Sequence, residues 1–329
     1  MPLPRFTSLE ICAGVGGQAL GLERAGFDPV SLVEIDRDAC ATLRTNRPQW
    51  RVLEKDLRDF VPDEDHRDVD LLAAGLPRVK SSATVKRPED EYERELLKAT
   101  IYLVHNVQPR ALLIENVPDL VTSEEFEDLR SFMDEELKFL GYRLSWHVLN
   151  AVNFGVPQDR KQGYLLALRQ DCGPFQWPAP HEDPAPTVGE VLKSSMAERD
   201  WPYAADWAQR ADRPAPTIVG GSKNRGGGDL GPTGTKKKWA TMGVNGGAIG
   251  DEVPDKHFPW LPDANDPALL PKLTVRQVAK LQAFPADWTV CGRKTSTYRQ
   301  IGHAAPPPVA EAVGRAIAAA LVAGSGSPN

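Results

Sequence analysis

Phe6 to Cys12 is an apolar run that stops at Ala13-Gly14-Val15-Gly16-Gly17. Leu20, Leu22 and Ala25 then follow at helical spacing, until Gly26 ends the pattern. A strand, a tight glycine turn and a helix in succession open a βαβ unit, in which the next strand pairs in parallel. The glycines let the backbone come close to a ligand, and the helix N-terminus favours an anionic group. This corner can serve a nucleotide-type ligand at a strand end, although glycine turns after strands are common and taken alone the signal is weak.

The alternation continues. Pro29 to Glu34 is a second short strand and Asp38 to Thr45 a second helix. Val69 to Ala74 and Ala111 to Ile114 are short apolar runs suited to buried parallel strands, and Tyr92 to Val107 between them has helical spacing. Strands alternating with helices predict an α/β fold with a doubly wound, mostly parallel sheet. After residue 172 the character changes, because Pro174, Pro178, Pro180, Pro184 and Pro186 interrupt the chain. Gly220 to Gly250 is glycine-rich with few helical signals, which predicts a smaller, loop-rich second domain. Regular patterning returns at Leu273 to Phe284 and in a predicted helix over Val309 to Val322. The expected division is 1–172, 173–270, a returning segment 271–323, and a disordered tail 324–329.

Composition narrows the class. Of 329 residues, 41 % are apolar and 26 % charged, which suits a globular chain with a sizeable core. The N-terminus is too short and polar for a signal peptide, and no apolar run approaches a membrane span, so a cytoplasmic location is expected. Cys12, Cys40, Cys172 and Cys291 are widely separated and read as reduced thiols, with neither a disulfide framework nor a metal site. A net charge of −6 argues mildly against a dedicated nucleic-acid protein. Lys223, Arg225, Lys236, Lys237 and Lys238 nevertheless make one local basic segment. Such a segment is usually a solvated loop. Between glycines in a recognition domain it also suits close approach to DNA phosphates. Trp239, next to the lysines, reads as a core residue of the small domain.

Glu34 lies about 20 residues beyond Gly14 at the end of the second strand, where a carboxylate can accept from ribose hydroxyls. Asp56 ends the next strand-like segment and could meet an adenine amine. Both are equally open to reading as loop-edge carboxylates, and Cys12 as a small core residue beside the turn.

Eight segments settle these alternatives by their order. SLEICAGVGGQALGLERAGF, VEIDRDAC, EKDLRDF, DLLAAGLPRVKSS, ALLIENVPDL, NFGVPQDRKQGYLLALR, LTVRQVAKLQAFPADW and YRQIGHAAPPPVAEAVGRAI follow one another down the chain. They resemble the successive motifs of the S-adenosylmethionine-dependent DNA (cytosine-5) methyltransferases, everywhere except about 175–270. The resemblance implies a Rossmann-like domain that binds S-adenosyl-L-methionine and a smaller target-recognition domain. Double-stranded DNA would be the partner, with one cytosine flipped out of the duplex. By resemblance the cofactor contacts fall on Cys12, Ala13, Gly14, Gly16, Glu34, Ile35, Asp56, Leu57, Pro77 and Leu96, with His303 near the methionine end.

The family attacks carbon 6 of cytosine with a thiolate, because carbon 5 alone is a poor nucleophile. A glutamate, here Glu115, binds the ring at N3 and the exocyclic amine. Arg78 stands where the catalytic cysteine belongs. A guanidinium is protonated at any accessible pH and offers no lone pair. Two further departures touch the same pocket. Gln162 replaces the second arginine of the motif that begins at Gln158, and His303 stands where asparagine is usual. Arg160, the first arginine, is expected in the pocket or on the DNA backbone. One change would fit an engineered knockout, whereas three around one pocket fit a lineage whose pocket has changed. The resemblance implies an enzyme, in a restriction-modification or defence setting, and Arg78 argues against cysteine-dependent turnover. The other expectation is a pseudoenzyme that binds cofactor and DNA, as a regulator or beside a second methyltransferase subunit.

Overall fold

The computed structural model describes residues 5–80, 88–221, 227–261 and 266–325. Its first elements are β1 (Phe6–Ile11), α1 (Gly17–Arg24), β2 (Phe27–Glu34), α2 (Arg37–Asn46), β3 (Val52–Glu54), β4 (Leu71–Gly75), α3 (Pro88–Val107), β5 (Ala111–Asn116), α4 (Asp119–Thr122) and α5 (Glu127–Phe139). They are followed by β6 (Tyr142–Asn150), β7 (Gln158–Asp159), β8 (Lys161–Arg169), α6 (Val188–Met196), α7 (Ala204–Arg210), β9 (Ala215–Pro216), α8 (Thr233–Thr241), α9 (Val275–Leu281), α10 (Lys294–His303) and α11 (Pro307–Ser325). The chain divides into two compact units, one of Met1–Leu149, Lys161–Ala179 and Val309–Asn329, the other of Asn150–Arg160 and Pro180–Pro308. No helix of the described residues is long and apolar enough to cross a membrane.

The first unit is built on a seven-stranded sheet in the order β3-β2-β1-β4-β5-β8-β6. β1 to β5 pair in parallel, and β8 runs antiparallel to β5. The central strands are apolar on both faces: Leu71 to Ala74 and Ala111 to Ile114 are buried throughout. Such runs cannot leave either face in water, so helices cover both. The strand order reverses between β1 and β4, and in a doubly wound sheet a crevice opens there outside the carboxyl ends of the strands. α2 starts where it does because Asp36 caps it, its carboxylate accepting from the amides of Asp38 (3.0 Å) and Ala39 (3.3 Å).

The second unit is mainly helical. Thr187 and Glu190 form a capping box on α6, and Thr274 and Gln277 one on α9. Gln277 then donates from Nε2 to the Ser195 hydroxyl at 3.0 Å, tying α9 to α6. Trp207 and Trp239 are fully buried at its centre, and Trp207 Nε1 donates to the Gly243 carbonyl at 3.0 Å.

Three features differ from the sequence reading. The stretch expected to be loops contains α6, α7 and α8, because buried anchors such as Leu192, Met196, Trp207 and Trp239 stabilise short helices that local propensity alone would not. The boundaries shift as well. Asn150–Arg160 and 271–308 cluster with the second unit, for Gln158 Nε2 donates to Gln282 Oε1 at 2.7 Å and Pro157 O accepts from Ala215 N at 2.8 Å. Residues 173–179 stay with the first unit, where Gly173 N donates to Ala320 O and Trp177 Nε1 to Ser145 Oγ. Lastly, α11 continues through Gly324 and Ser325, where a disordered tail was expected to begin; 326–329 lie outside the described residues.

Glu10 is the unusual group in this core. It lies in β1 with 2 % of its surface exposed and accepts from the Ser8 hydroxyl at 3.4 Å. Burial pushes its carboxyl up from 4.5 to about 8. A raised folded-state value means stability is fully present below 4.5 and is lost as pH rises towards 8. Urea denaturation of the wild type should therefore weaken across that window, by up to ~1.4 kcal/mol per pH unit. Glu10→Gln should flatten the slope, and an unchanged slope would assign the dependence to another group.

Candidate active site

Parallel pairing brings the ends of β1 to β5 to one edge of the sheet. Each carries an expected site residue: Gly14 after β1, Glu34 on β2, Asp56 after β3, Pro77 and Arg78 after β4, and Glu115 on β5. Antiparallel β8 begins at the same edge, so Tyr164 lies opposite Glu115 and Gly163 opposite Asn116. A Cβ on Gly163 would stand 2.5 Å from the Val117 carbonyl oxygen, so only glycine lets β8 start this close to the turn after β5.

At the cofactor corner Cys12, Gly14 and Gly16 all have left-handed backbones, with φ of 52°, 56° and 86°. Ala13 N donates to Val33 O at 3.2 Å, which holds the turn against β2. A Cβ on Gly14 would meet nothing within 4 Å, so there is open space beside its backbone. α1 starts at Gly16 without a side-chain cap, leaving its first amides free of side-chain partners. Glu34 is buried, and its two oxygens accept from Gly14 N and Asp36 N, each at 2.7 Å. Burial pushes this carboxyl up and the backbone amides hold it down. Its unused lone pairs can accept from a ribose diol. Ile35, 53 % exposed, presents an apolar surface next to it, while Leu57 and Leu96 are buried. Arg58 holds the Asp56 carboxyl below the usual range. A diol acceptor, an apolar platform, a second carboxylate and open space at a helix N-terminus match the parts of S-adenosyl-L-methionine, so the residues present fit that cofactor.

On the other side of the crevice Asn116, 2 % exposed, straps the loop after β4. Its Oδ1 accepts from Val79 N (3.0 Å) and Val117 N (2.9 Å), and its Nδ2 donates to Pro77 O (3.1 Å). Residue 78 is thus gripped on both sides. Arg78 itself is exposed and makes no hydrogen bond or ion pair among the described residues. Gln162, 3 % exposed, donates from Nε2 to Glu115 Oε1 at 2.5 Å, and its Oε1 accepts from the Tyr164 hydroxyl at 3.4 Å. Asn116 and Tyr164 were missed in the sequence. The signal for Asn116 was a lone amide closing an apolar strand; Tyr164 gave none.

Three of the free thiols are held in their neutral form. Burial pushes Cys12, Cys40 and Cys172 upwards, Cys40 to about 12, so these stay protonated.

The remaining expected residues belong to the second unit. Arg160 is 1 % exposed, and its Nη1 donates to the carbonyls of Ile218 (2.8 Å) and Gly302 (3.0 Å). A guanidinium engaged this way is not presented to a phosphate or base, which corrects the expectation for Arg160. His303 Nε2 lies 3.0 Å from the Gly221 carbonyl. Lys236 pairs with Asp229 at 2.7 Å, whereas Lys237 and Lys238 are exposed on α8, a helix where a glycine-rich loop was expected. Lys223 and Arg225 lie outside the described residues.

Asn116→Ala should cost about 1–3 kcal/mol in urea denaturation, because it orphans the buried amide of Val79 and removes two partly buried bonds, to Val117 N and Pro77 O. A loss under about 0.5 kcal/mol would mean that Asn116 does not hold the loop.

The family model for C-5 cytosine-specific DNA methylase matches residues 6–319. Over 321 residues the chain is 43 % identical to the Type II methyltransferase M.NgoMIV of Neisseria gonorrhoeae, covering 96 % of this chain and 98 % of the relative. It is 44 % identical over 317 residues to M.NaeI of Lentzea aerocolonigenes, covering 95 % and 75 %. Among solved structures, S. pombe Dnmt2 methyltransferase shares the fold with a TM-score of 0.63 at 19 % identity, covering 97 % of this chain and 98 % of that one. Entamoeba histolytica EhMeth does so with 0.64 at 14 %, covering 95 % and 98 %. The crevice residues and these likenesses converge, and the chain belongs to the C-5 cytosine-specific DNA methylase family, which uses S-adenosyl-L-methionine as methyl donor.

Proposed function

We propose that this protein binds S-adenosyl-L-methionine and double-stranded DNA without performing cysteine-dependent methylation of cytosine carbon 5. What supports the reading is the motif resemblance, which puts Arg78 at the nucleophile position, together with the bonds by which Asn116 straps that loop beside Glu115. The relatives named Type II methyltransferases favour DNA as the bound polymer and a restriction-modification setting. The second unit is the target-recognition domain in this reading, with Lys237 and Lys238 on α8 as phosphate contacts. No second methyltransferase subunit is needed.

When bound, the cofactor supplies an electrophilic methyl group. Gly14, Glu34, Ile35, Asp56, Leu57 and Leu96 hold it. Glu115 accepts from the exocyclic amine of a flipped cytosine and shares a proton with N3. Arg78 cannot add to carbon 6, so no enamine forms and carbon 5 stays unreactive. Gln162, engaged with Glu115 and Tyr164, brings no positive charge towards the cytosine O2.

Mass spectrometry of nucleosides from DNA incubated with protein and cofactor should find no 5-methylcytosine, and DNA carrying 5-fluorocytosine should give no covalent adduct. Arg78→Cys should restore part of the activity, and adding Gln162→Arg should improve it. Ordinary 5-methylcytosine formation by the unmodified protein would overturn the reading. For the cofactor site, Glu34→Ala should weaken calorimetric binding of S-adenosyl-L-methionine by about 1–3 kcal/mol. No saturable binding by the wild type would remove the cofactor from the proposal.

A further inference from the structure

Asp56 and Arg58 flank Leu57 on the turn that follows β3, and their side chains are locked together. Arg58 Nη2 donates to Asp56 Oδ2 at 2.7 Å, while Arg58 Nε (3.1 Å) and its backbone amide (2.9 Å) both donate to Oδ1. The guanidinium carbon lies 4.6 Å from the centre of the Tyr92 ring, and Nη1 is 3.8 Å from Glu95. Tyr92 precedes Leu96 by one turn of α3, so the two share a helix face. Burial pushes the Tyr92 phenol up, and Asp56 adds to the push, as expected for a ring set beside the carboxylates of the crevice. Arg58 is therefore a planar cation held by an aromatic face and gripping one carboxylate.

This grip restricts what Asp56 can still do. A carboxylate has about four acceptor positions. Arg58 takes two on Oδ1 and one on Oδ2, and its Nε is shared with Oδ2 at 3.3 Å. The side of Oδ2 turned away from the guanidinium is the direction left, and it suits one N–H donor. A carbonyl in that place would set acceptor against acceptor, and sites built to bond a donor reject such analogues strongly. Without the guanidinium the carboxylate would keep only the backbone amide of residue 58, which fixes one oxygen and leaves the other unaimed.

We propose that Arg58, stacked on Tyr92, is the positioning residue that aims Asp56 at the adenine amino group of the cofactor, so that nucleobase selectivity depends on Arg58 as well as on Asp56. The inference rests on the cofactor reading above, with Asp56 at the adenine end.

Calorimetry with S-adenosylhomocysteine and S-inosylhomocysteine tests it, since the second carries a carbonyl in place of the amine. The wild type should prefer the adenine compound. Arg58→Ala should lower that preference about tenfold, chiefly by weakening the adenine compound. Arg58→Lys, which keeps the charge and loses the planar fork, should lower it too, and Tyr92→Leu should move it in the same direction. If Arg58 only braced the turn, both ligands would weaken together, and an unchanged ratio overturns the inference. A wild type that binds both compounds equally also overturns it while leaving the cofactor site standing. A wild type that binds neither removes the cofactor reading and the inference with it.

Discussion

Parallel pairing of β1 with β2 and β4, and of β4 with β5, is the constraint from which the site follows. Parallel strands must all finish at the same edge, so each loop that leaves that edge is delivered to one crevice. Five loops distant in sequence thereby meet without any contact having to draw them together. Register does the fine placement: Gly75 stands opposite Glu115, so the loop carrying Arg78 begins beside the carboxylate. Antiparallel β8 adds Gln162 from the opposite chain direction, and the glycine at 163 permits the close approach.

Within this frame the cofactor side and the target-base side have different demands. The cofactor side rests on backbone shape at Cys12, Gly14 and Gly16 and on Glu34, whose oxygens brace the turn as well as facing the crevice. Losing Glu34 would cost the fold two charge-assisted bonds. The base side rests on side chains, among them Gln162 bonded to Glu115 and Tyr164. Arg78 has no hydrogen bond or ion pair among the described residues. Asn116 grips the backbone at Pro77 and Val79 and is indifferent to the side chain between them.

Much of the first unit was legible. Strand and helix periods, the glycine turn and the carboxylates after the strands are local signals, and the sheet they imply is present. The second unit was less legible, because its helices are short, and α7 and α8 bury little besides Trp207 and Trp239. Its boundaries were missed for a related reason. Gln158 and Gln282 are 124 positions apart, and nothing local announces that their amides meet.

Arg160 carries the sharper lesson. Its place in an ordered motif suggested a ligand contact, yet its guanidinium is buried and satisfies the carbonyls of Ile218 and Gly302. Removing it would leave those buried acceptors unpaired, a cost of about 1–3 kcal/mol each whether or not the protein turns over. Gln158 is bound in the same way, accepting from Ile218 N while donating to Gln282. Motif residues of this kind are required by the fold, so their presence says little about chemistry. The informative positions are those with no structural duty, where only function constrains the side chain.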